Sequence, residues 1–486
     1  MLFALPPTSE ADAPLVRRLI LAVVALGALR VAALVFNRTD LYFDEAQYWT
    51  WSQALDWGYY SKPPLVALLI RATTDVFGSA EWAVRLSSPI LHTLTALVLW
   101  RLGARLYGDR VGAWSALAFA TLPAVSLSAT LVSTDVPLLL AWAAGLLFAV
   151  RLIDRPAYGP ALGLAAAVAV GVNAKYPMLL LPGLLFLFLL ATPAARGRLA
   201  APPVWVGLAG GVVGLVPNAV WNAQNDFVTL MHTRDNAKWS GSLFNPDEAL
   251  AFFAAQAGVF GPILFGVLLI AALGRWRTDR PLADRLLIAT SVPIILIFTA
   301  QALISRANAN WAATAYPGAT VLAVALLIYG RQRLLKASTA LHGAVALVLL
   351  VAPAFAPEIR LPTGARPFER VLGWRAFAEA VRQAAVETGS RTVVLDRRSD
   401  VAAVLYYLRD SDLAIAVERD PTRPPLDHYE MTRPFDVDRP SPGLLVTAPN
   451  RSVVLPGTRP LGPARALPVG RGVIRGERME ATPLAW

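Results

Sequence analysis

Asp135-Val136-Pro137-Leu138-Leu139-Leu140-Ala141-Trp142-Ala143-Ala144-Gly145-Leu146-Leu147-Phe148-Ala149-Val150-Arg151 decides the fold class. No charged side chain falls between Asp135 and Arg151. A helix rising about 1.5 Å per residue carries such a run across most of a hydrocarbon core about 30 Å thick. Working outward, eleven apolar spans recur, at roughly 15–36, 83–106, 110–131, 135–153, 159–174, 177–191, 203–222, 249–273, 283–304, 310–329 and 338–356. Of the 486 residues 56% are hydrophobic and 16% charged, against about 25% charged in ordinary soluble domains. Disorder and a single soluble core are both excluded. The expected fold is mainly α and polytopic, with about eleven transmembrane helices, interfacial helices in the first outer loop and a small C-terminal α/β domain outside the membrane.

The chain has no Cys, which removes disulfides, thiol catalysis and Cys-ligated zinc. A net charge of +11 reports topology first, so nucleic acid is not the partner it points to. With a cytoplasmic N-terminus, the inner loops hold Arg17, Arg18, Arg101, Arg105, Arg110, Arg151, Arg155, Arg196, Arg198, Arg331, Arg333 and Lys336, among others. The outer loops are poorer in basic residues although longer, and an odd number of spans puts the C-terminus outside. Span 1 contains Arg30 and lacks a small-residue cleavage site, so it does not read as a cleavable signal peptide. Only four of the 44 basic residues are Lys: Lys62, Lys175, Lys238 and Lys336. Three of them fall in outer loops, where the positive-inside rule does not place them. An anionic ligand on that face would account for it.

The two long outer loops, 37–82 and 223–248, are rich in Trp, Tyr and Asp. The first carries Tyr42-Phe43-Asp44-Glu45 and then Tyr59-Tyr60-Ser61-Lys62-Pro63-Pro64. Paired carboxylates at a membrane boundary are costly unless solvated or used. A carboxylate there can take a proton from an acceptor hydroxyl; the plainer reading is a polar loop start within an aromatic belt. The apolar run after Lys62-Pro63-Pro64 is too short to span and reads as a re-entrant or interfacial helix. A Lys at a helix N-terminus suits a phosphate; the plainer reading is a snorkelling anchor. Thr134-Asp135-Val136-Pro137 opens a helix on the same face, where Asp135 is either an N-cap residue or a second functional acid. Lys175-Tyr176-Pro177 sits at the tip of a short hairpin, and Arg85 opens the second span. The second loop holds Asn222, His232, Arg234 and Lys238 among aromatics and amides, a mixture suited to a sugar or phosphate. One His with scattered Asp residues is a weak metal-ligand set. No motif calls for a cofactor, and a divalent metal ion is left open.

From about residue 360 the composition shifts to 19 Arg, 15 acidic residues and no Lys. Residues 374–388 read as an amphipathic helix, 392–395 as a strand, 400–407 as a helix, 413–417 as a strand and 444–447 as another, which together suggest an α/β domain. The division is therefore 1–358, membrane-embedded and catalytic, and 359–486, soluble and extracytoplasmic. No internal repeat and no Gly-rich phosphate loop is evident.

Over residues 15–240 this set of motifs resembles the GT-C membrane glycosyltransferases: an Asp-Glu pair, Lys-Pro-Pro before a short helix, an outer Thr-Asp-x-Pro, and a Lys at a hairpin tip. The branch most similar lies near the bacterial protein O-mannosyltransferases and the aminoarabinose transferase of lipid A. The resemblance implies transfer of a hexose or pentose from a polyprenyl-phosphate donor to an extracytoplasmic acceptor, with inversion. The expected acceptor is a cell-envelope glycolipid or lipopolysaccharide; a protein acceptor, or flipping of a lipid-linked sugar, are the alternatives. It implies Asp44 and Asp135 in the catalytic set; Glu45, beside Asp44, is a further catalytic candidate from its place in the acid pair. It implies Lys62, and Lys175 by position, at the donor phosphate; the leaving phosphate needs cations, for which Arg85, Arg234 and Lys238 are the further candidates by charge and outer-loop placement. Tyr42, Tyr59, Tyr60, Tyr176, Asn222 and His232 are the candidates for sugar or acceptor. The other expectations are a bacterial inner-membrane location, no nucleic-acid partner and a monomer.

Overall fold

In the hydrocarbon core no water satisfies backbone N–H and C=O groups, so spanning segments close their hydrogen bonds within helices. The structure, a computed structural model, describes residues 2–3, 10–237, 239, 243–274, 280–449, 451, 453, 455–468 and 478–486. Among these residues seven helices are long and apolar enough to cross a membrane: Ala13–Val35, Glu81–Tyr107, Asp135–Asp154, Pro202–Gln224, Leu282–Ile304, Ala309–Gly330 and Gln332–Phe355. Two bent pairs raise the number to nine, Tyr176–Ala191 with Pro193–Ala200 (111°) and Pro246–Phe260 with Pro262–Leu273 (118°). The molecule is thus a multi-pass, mainly helical membrane protein. The apolar stretch 249–273, expected as one straight span, is broken where Gly261 takes φ 86° just ahead of Pro262. The stretch 110–131 becomes the helix Asp109–Thr121, which stops at Leu122 because the following Pro123 forces Leu122 to ψ 139°. The stretch 159–174 forms the shorter apolar helix Tyr158–Ala174.

The chain forms two compact units. One comprises Met1–Val35, Lys62–Val66 and Arg85–Leu350. Its core joins Trp142, Phe119, Leu146, Val168, Leu181, Leu287 and Leu322, all fully buried. Helices Ser87–Tyr107 and Asp109–Thr121 approach most closely at Gly103 and Gly112, where a Cβ on Gly112 would lie 2.3 Å from the Trp100 carbonyl oxygen. Small residues let membrane helices pack backbone to backbone in this way. Arg30, within the first span, donates to the Ala120 carbonyl (2.8 Å) and to Ser126 Oγ (2.8 Å), so its charge is satisfied by protein. Asp154 pairs with Arg105 at 2.6 Å and accepts from the Leu2 N–H at 2.7 Å, which ties down the start of the chain.

The second unit comprises Phe36–Ser61, Ala67–Val84 and Val351–Trp486. Its sheet contains β1 (Thr392–Leu395), β2 (Ala414–Val417), β3 (Gly443–Thr447), β4 (Arg459–Pro460), β5 (Arg465–Ala466) and β6 (Glu480–Ala485). The order is β2-β1-β3-β6-β4, with β5 also on β6. The β2-β1-β3 part is parallel, with Thr392 opposite both Ala414 and Gly443, and β6 runs antiparallel to β3. β1 is buried along its whole length, as the apolar run Thr392–Leu395 in a central parallel strand requires. Helices Trp374–Glu387 and Arg398–Tyr407 flank it in sequence, matching the expected α/β pattern. The strands β4 to β6 are an addition to that pattern; Pro483 and the short Arg459–Pro460 segment hide them from a strand reading.

Most of the first long loop, all but Lys62–Val66, is built into this second unit. Helix Phe43–Gln53 packs on helix Arg398–Tyr407, with the Trp49 and Tyr406 rings edge to face at 5.1 Å. Asp40 accepts from the Trp374 N–H at 2.8 Å, and burial pushes its carboxyl up from the usual carboxylate range. The Leu41 N–H donates to Tyr407 Oη (2.8 Å), Tyr406 Oη donates to the Ser79 carbonyl (2.7 Å), and Arg375 pairs with Glu81.

Candidate active site

Tyr42 is extended at the head of helix Phe43–Gln53, which puts Asp44 and Glu45 in its first turn. Acidic side chains are stabilising there, because the first N–H groups of a helix lack partners within it. The two acids then diverge. Glu45 is 2% exposed, and its Oε2 accepts from the Tyr42 N–H at 2.9 Å, the reach-back half of a capping box. Asp44 keeps 38% of its side chain exposed. Its Oδ1 accepts from Arg398 Nη1 at 2.9 Å. The same Nη1 donates to Gln47 Oε1 at 2.6 Å. The Arg398 guanidinium lies 4.9 Å from the centre of the Phe43 ring, and that of Arg370 lies 5.7 Å from the centre of the Tyr42 ring. The acid at Asp44 therefore stands among aromatics and arginines.

Tyr59 and Tyr60 are both buried. Tyr59 stacks on Trp51 with ring centres 4.6 Å apart, and its hydroxyl donates to the Trp51 carbonyl at 3.0 Å. Burial pushes that hydroxyl up to about 12. Tyr60 Oη donates to the Pro425 carbonyl at 3.1 Å. Both hydroxyls thus hold backbone. His428 completes this aromatic group, with its ring centre 5.6 Å from that of Trp51, and burial lowers it to about 4.

In the first unit a second group forms. Asp135 is the first residue of helix Asp135–Asp154, and Lys175 is the extended residue between helix Tyr158–Ala174 and the turn Tyr176–Leu179. Lys175 Nζ and Asp135 Oδ1 are 2.7 Å apart, and Asn310 Nδ2 donates to Asp135 Oδ2 at 2.7 Å. The carboxylate thus has a partner on each oxygen. Tyr176 Oη donates to Asn218 Oδ1 at 2.7 Å, and Asn222 Nδ2 donates to the Asn218 carbonyl at 3.0 Å. Lys62 stands just ahead of Pro63, Pro64 and helix Leu65–Phe77, and Arg85 is 1% exposed at the end of Glu81–Arg85. On helix Val228–Ala237, His232 Nε2 lies 2.8 Å from Asn236 Nδ2, and Arg234 pairs with Asp235 at 3.1 Å. Lys238 lies outside the described residues.

The sequence placed Asp135 and Lys175 on the same outer face with separate roles; the structure pairs them. It also adds Asn310, Gln47 and Arg398. Asn310 had a weak signal, the polar stretch Ser305–Asn310 between two apolar spans. Arg398 had none, being one of 19 arginines from residue 360 onward. Among the described residues no three His, Asp or Glu side chains gather in a group that could hold a metal ion.

Residues 61–221 match the family model described as dolichyl-phosphate-mannose-protein mannosyltransferase. The lipid A galacturonosyltransferase RgtD of Rhizobium johnstonii is 38% identical over 412 residues, covering 85% of this chain and 86% of that protein. The lipopolysaccharide core galacturonosyltransferase RgtA of the same organism is 26% identical, covering 57% of this chain and 59% of that protein. Among solved structures, ArnT from Cupriavidus metallidurans bound to undecaprenyl phosphate superposes with a TM-score of 0.66 at 17% identity, over 96% of this chain and 97% of that one. The apo form of the same protein gives a TM-score of 0.65. With a relative of this identity along nearly its whole length, and with the same fold as ArnT, the chain belongs to the GT-C membrane glycosyltransferases.

Proposed function

We propose that this glycosyltransferase moves a hexuronic sugar, galacturonic acid in the first instance, from a polyprenyl-phosphate donor to lipid A or a closely related envelope glycolipid. The relative RgtD, a lipid A galacturonosyltransferase, supports both sugar class and acceptor. The binding of undecaprenyl phosphate by ArnT supports the donor class. A polyprenyl phosphate cannot leave the bilayer, so its enzyme needs a site at headgroup depth on a multi-pass scaffold. Lys and Arg placement supports a cytoplasmic N-terminus; the reading adds transfer on the extracytoplasmic face of the bacterial inner membrane, by a monomer.

In this reading Asp44 is the general base. It takes the proton of the acceptor hydroxyl as that oxygen attacks the anomeric carbon from the face opposite the phosphate. The new C–O bond forms as the bond to the phosphate oxygen breaks, which inverts the centre. The polyprenyl phosphate leaves as a dianion, and its charge needs cations: Lys62, Arg85 and Lys175, with Arg234 and Lys238 as further candidates. Asp135 has both oxygens committed, which favours a role holding Lys175 over a role as base. Glu45 is assigned to capping the helix that carries Asp44.

One observation carries the choice of base: of the two adjacent acids, only Asp44 is open to solvent, with Oδ2 unpartnered among the described residues. General-base catalysis contributes on the order of 10²–10⁴ in rate. Asp44→Asn should therefore lower transfer by at least about a hundredfold in purified protein given polyprenyl-phosphate galacturonate and lipid A. Undiminished transfer would overturn the base assignment. Mass spectrometry of envelope lipids from cells with and without the gene identifies sugar and acceptor. A glycan lost from protein instead of lipid A would favour the mannosyltransferase-like reading that the family match over residues 61–221 supports.

A further inference from the structure

Arg398 stands 354 residues from Asp44 in the chain, in a part of the protein with no evident catalytic motif. Its place in the fold is specific. β1 ends at Leu395, Asp396 and Arg397 make the turn, and Arg398 is the first residue of the following helix. In the order β2-β1-β3 the chain leaves β1 toward one side and returns to pair on the other. The carboxyl ends of β1 and β3 are therefore a topological switch point, where open parallel sheets place functional groups. The turn is braced there: Arg451, beyond β3, donates to Asp396 Oδ2 at 2.8 Å, and that carboxylate is fully buried. From this turn Arg398 reaches the face of helix Phe43–Gln53 that bears Asp44 and, three residues on, Gln47. One nitrogen, Nη1, binds both, at 2.9 and 2.6 Å, while the guanidinium covers the Phe43 ring.

We propose that Arg398 is a positioning residue for the transfer reaction, by which the C-terminal domain fixes the rotamer of Asp44 so that Oδ2 faces the acceptor hydroxyl. The assignment rests on Asp44 being the base. Three points hold the carboxylate: the helix that carries it, Nη1 on Oδ1, and Gln47, which stops Nη1 from swinging away. A base held in place converts binding into rate, because a small misplacement of a reacting group costs about a hundredfold. Gln47 is 1% exposed and Arg398 lies against Phe43, so neither is free to follow a different carboxylate geometry.

The test measures kcat and the KM of each substrate for the full-length enzyme carrying Arg398→Ala, Arg398→Gln, Arg398→Lys or Asp44→Asn. Each variant is first shown to elute as the wild type does in detergent. Arg398→Ala should lose roughly a hundredfold in kcat, with both KM values within about twofold. Arg398→Lys, which keeps the charge but not the planar fork, should recover at least about tenfold of that loss, while Arg398→Gln should not. If Arg398→Ala does not fold, the comparison of Lys with Gln still decides; equal kcat for the two would overturn the proposal. A raised KM with unchanged kcat would overturn it in favour of direct contact with an anionic substrate. A raised kcat would overturn it in favour of an inhibitory lock on Asp44. Full activity of Arg398→Ala beside a dead Asp44→Asn defeats the Arg398 assignment alone. Full activity of Asp44→Asn defeats the general-base reading itself.

Discussion

Removal of Asp135 should expose how its pair with Lys175 is held together. The two side chains are 14% and 17% exposed and meet at 2.7 Å, and the second carboxylate oxygen binds Asn310 at 2.7 Å. Exposed ion pairs contribute about 0–1 kcal/mol, whereas leaving one partner of a buried pair alone costs about 3–5 kcal/mol. These exposures place the pair toward the buried end, so Asp135→Ala should cost about 3 kcal/mol, and the lost Asn310 bond about 1 kcal/mol more. Lys175→Met should cost less, because Asn310 still satisfies part of the carboxylate. The double variant removes both charges and so escapes the cost of a lone charge. It should be more stable than the sum of the singles by about 2 kcal/mol. For a large domain each kcal/mol moves the unfolding midpoint by about 2–4 °C, so the coupling appears as roughly 4–8 °C. Thermal midpoints of the four proteins in one detergent give the cycle. Additive shifts would refute the reasoning, because they would mean that the two groups are independently solvated. The same proteins test function: Asp135→Ala and Lys175→Met should raise the donor KM by similar factors, and the double variant should be no worse than either.

Further outcomes follow from other groups. Lys62→Ala should raise the donor KM by roughly ten- to a hundredfold, the loss of one charge-assisted contact of about 1.5–3 kcal/mol, and leave the acceptor KM nearly unchanged; equal loss on both substrates would argue against a phosphate contact. His428 titrates at about 4 in the fold because of its burial, with Arg433 adding repulsion, against about 6.5 in an unfolded chain. Between those values only the unfolded chain takes up the proton. The contribution is complete above pH 6.5 and declines as pH falls toward 4, by about 2 kcal/mol at pH 5. Thermal midpoints at pH 7 and pH 5 should therefore diverge more in wild type than in His428→Gln; an identical drop in both would assign the acid sensitivity elsewhere.

Much of the fold was legible because membrane insertion writes itself locally. Each expected span is helical for most of its length, since an apolar run in lipid has no other way to satisfy its backbone. The breaks were harder to read. Gly261-Pro262 and Leu122-Pro123 are bend signals, but the apolar composition on either side runs on without a change. The candidate residues of the first unit were partly legible, because Lys is rare in this chain and Asp135 and Lys175 sit at loop tips. The chemistry of the acid pair was not. Asp44 and Glu45 are adjacent and chemically equivalent in sequence, and only the helix start divides them into an open carboxylate and a buried cap. Tyr59 and Tyr60 look like a sugar platform in sequence, yet their hydroxyls are committed to the carbonyls of Trp51 and Pro425.

By itself the sequence determined that this is a multi-pass helical protein with an acid-bearing first loop, a Lys-Pro-Pro turn and an α/β tail. Those properties follow from composition, hydrophobic period and turn residues within short windows. Only the tertiary structure decided that most of the first loop forms one unit with the tail, and that Arg398 meets Asp44 across 354 positions. A hydrogen bond of that kind depends on the strand order that aims the β1 turn at the loop helix. No local preference of the residues around Asp44 or Arg398 specifies that aim.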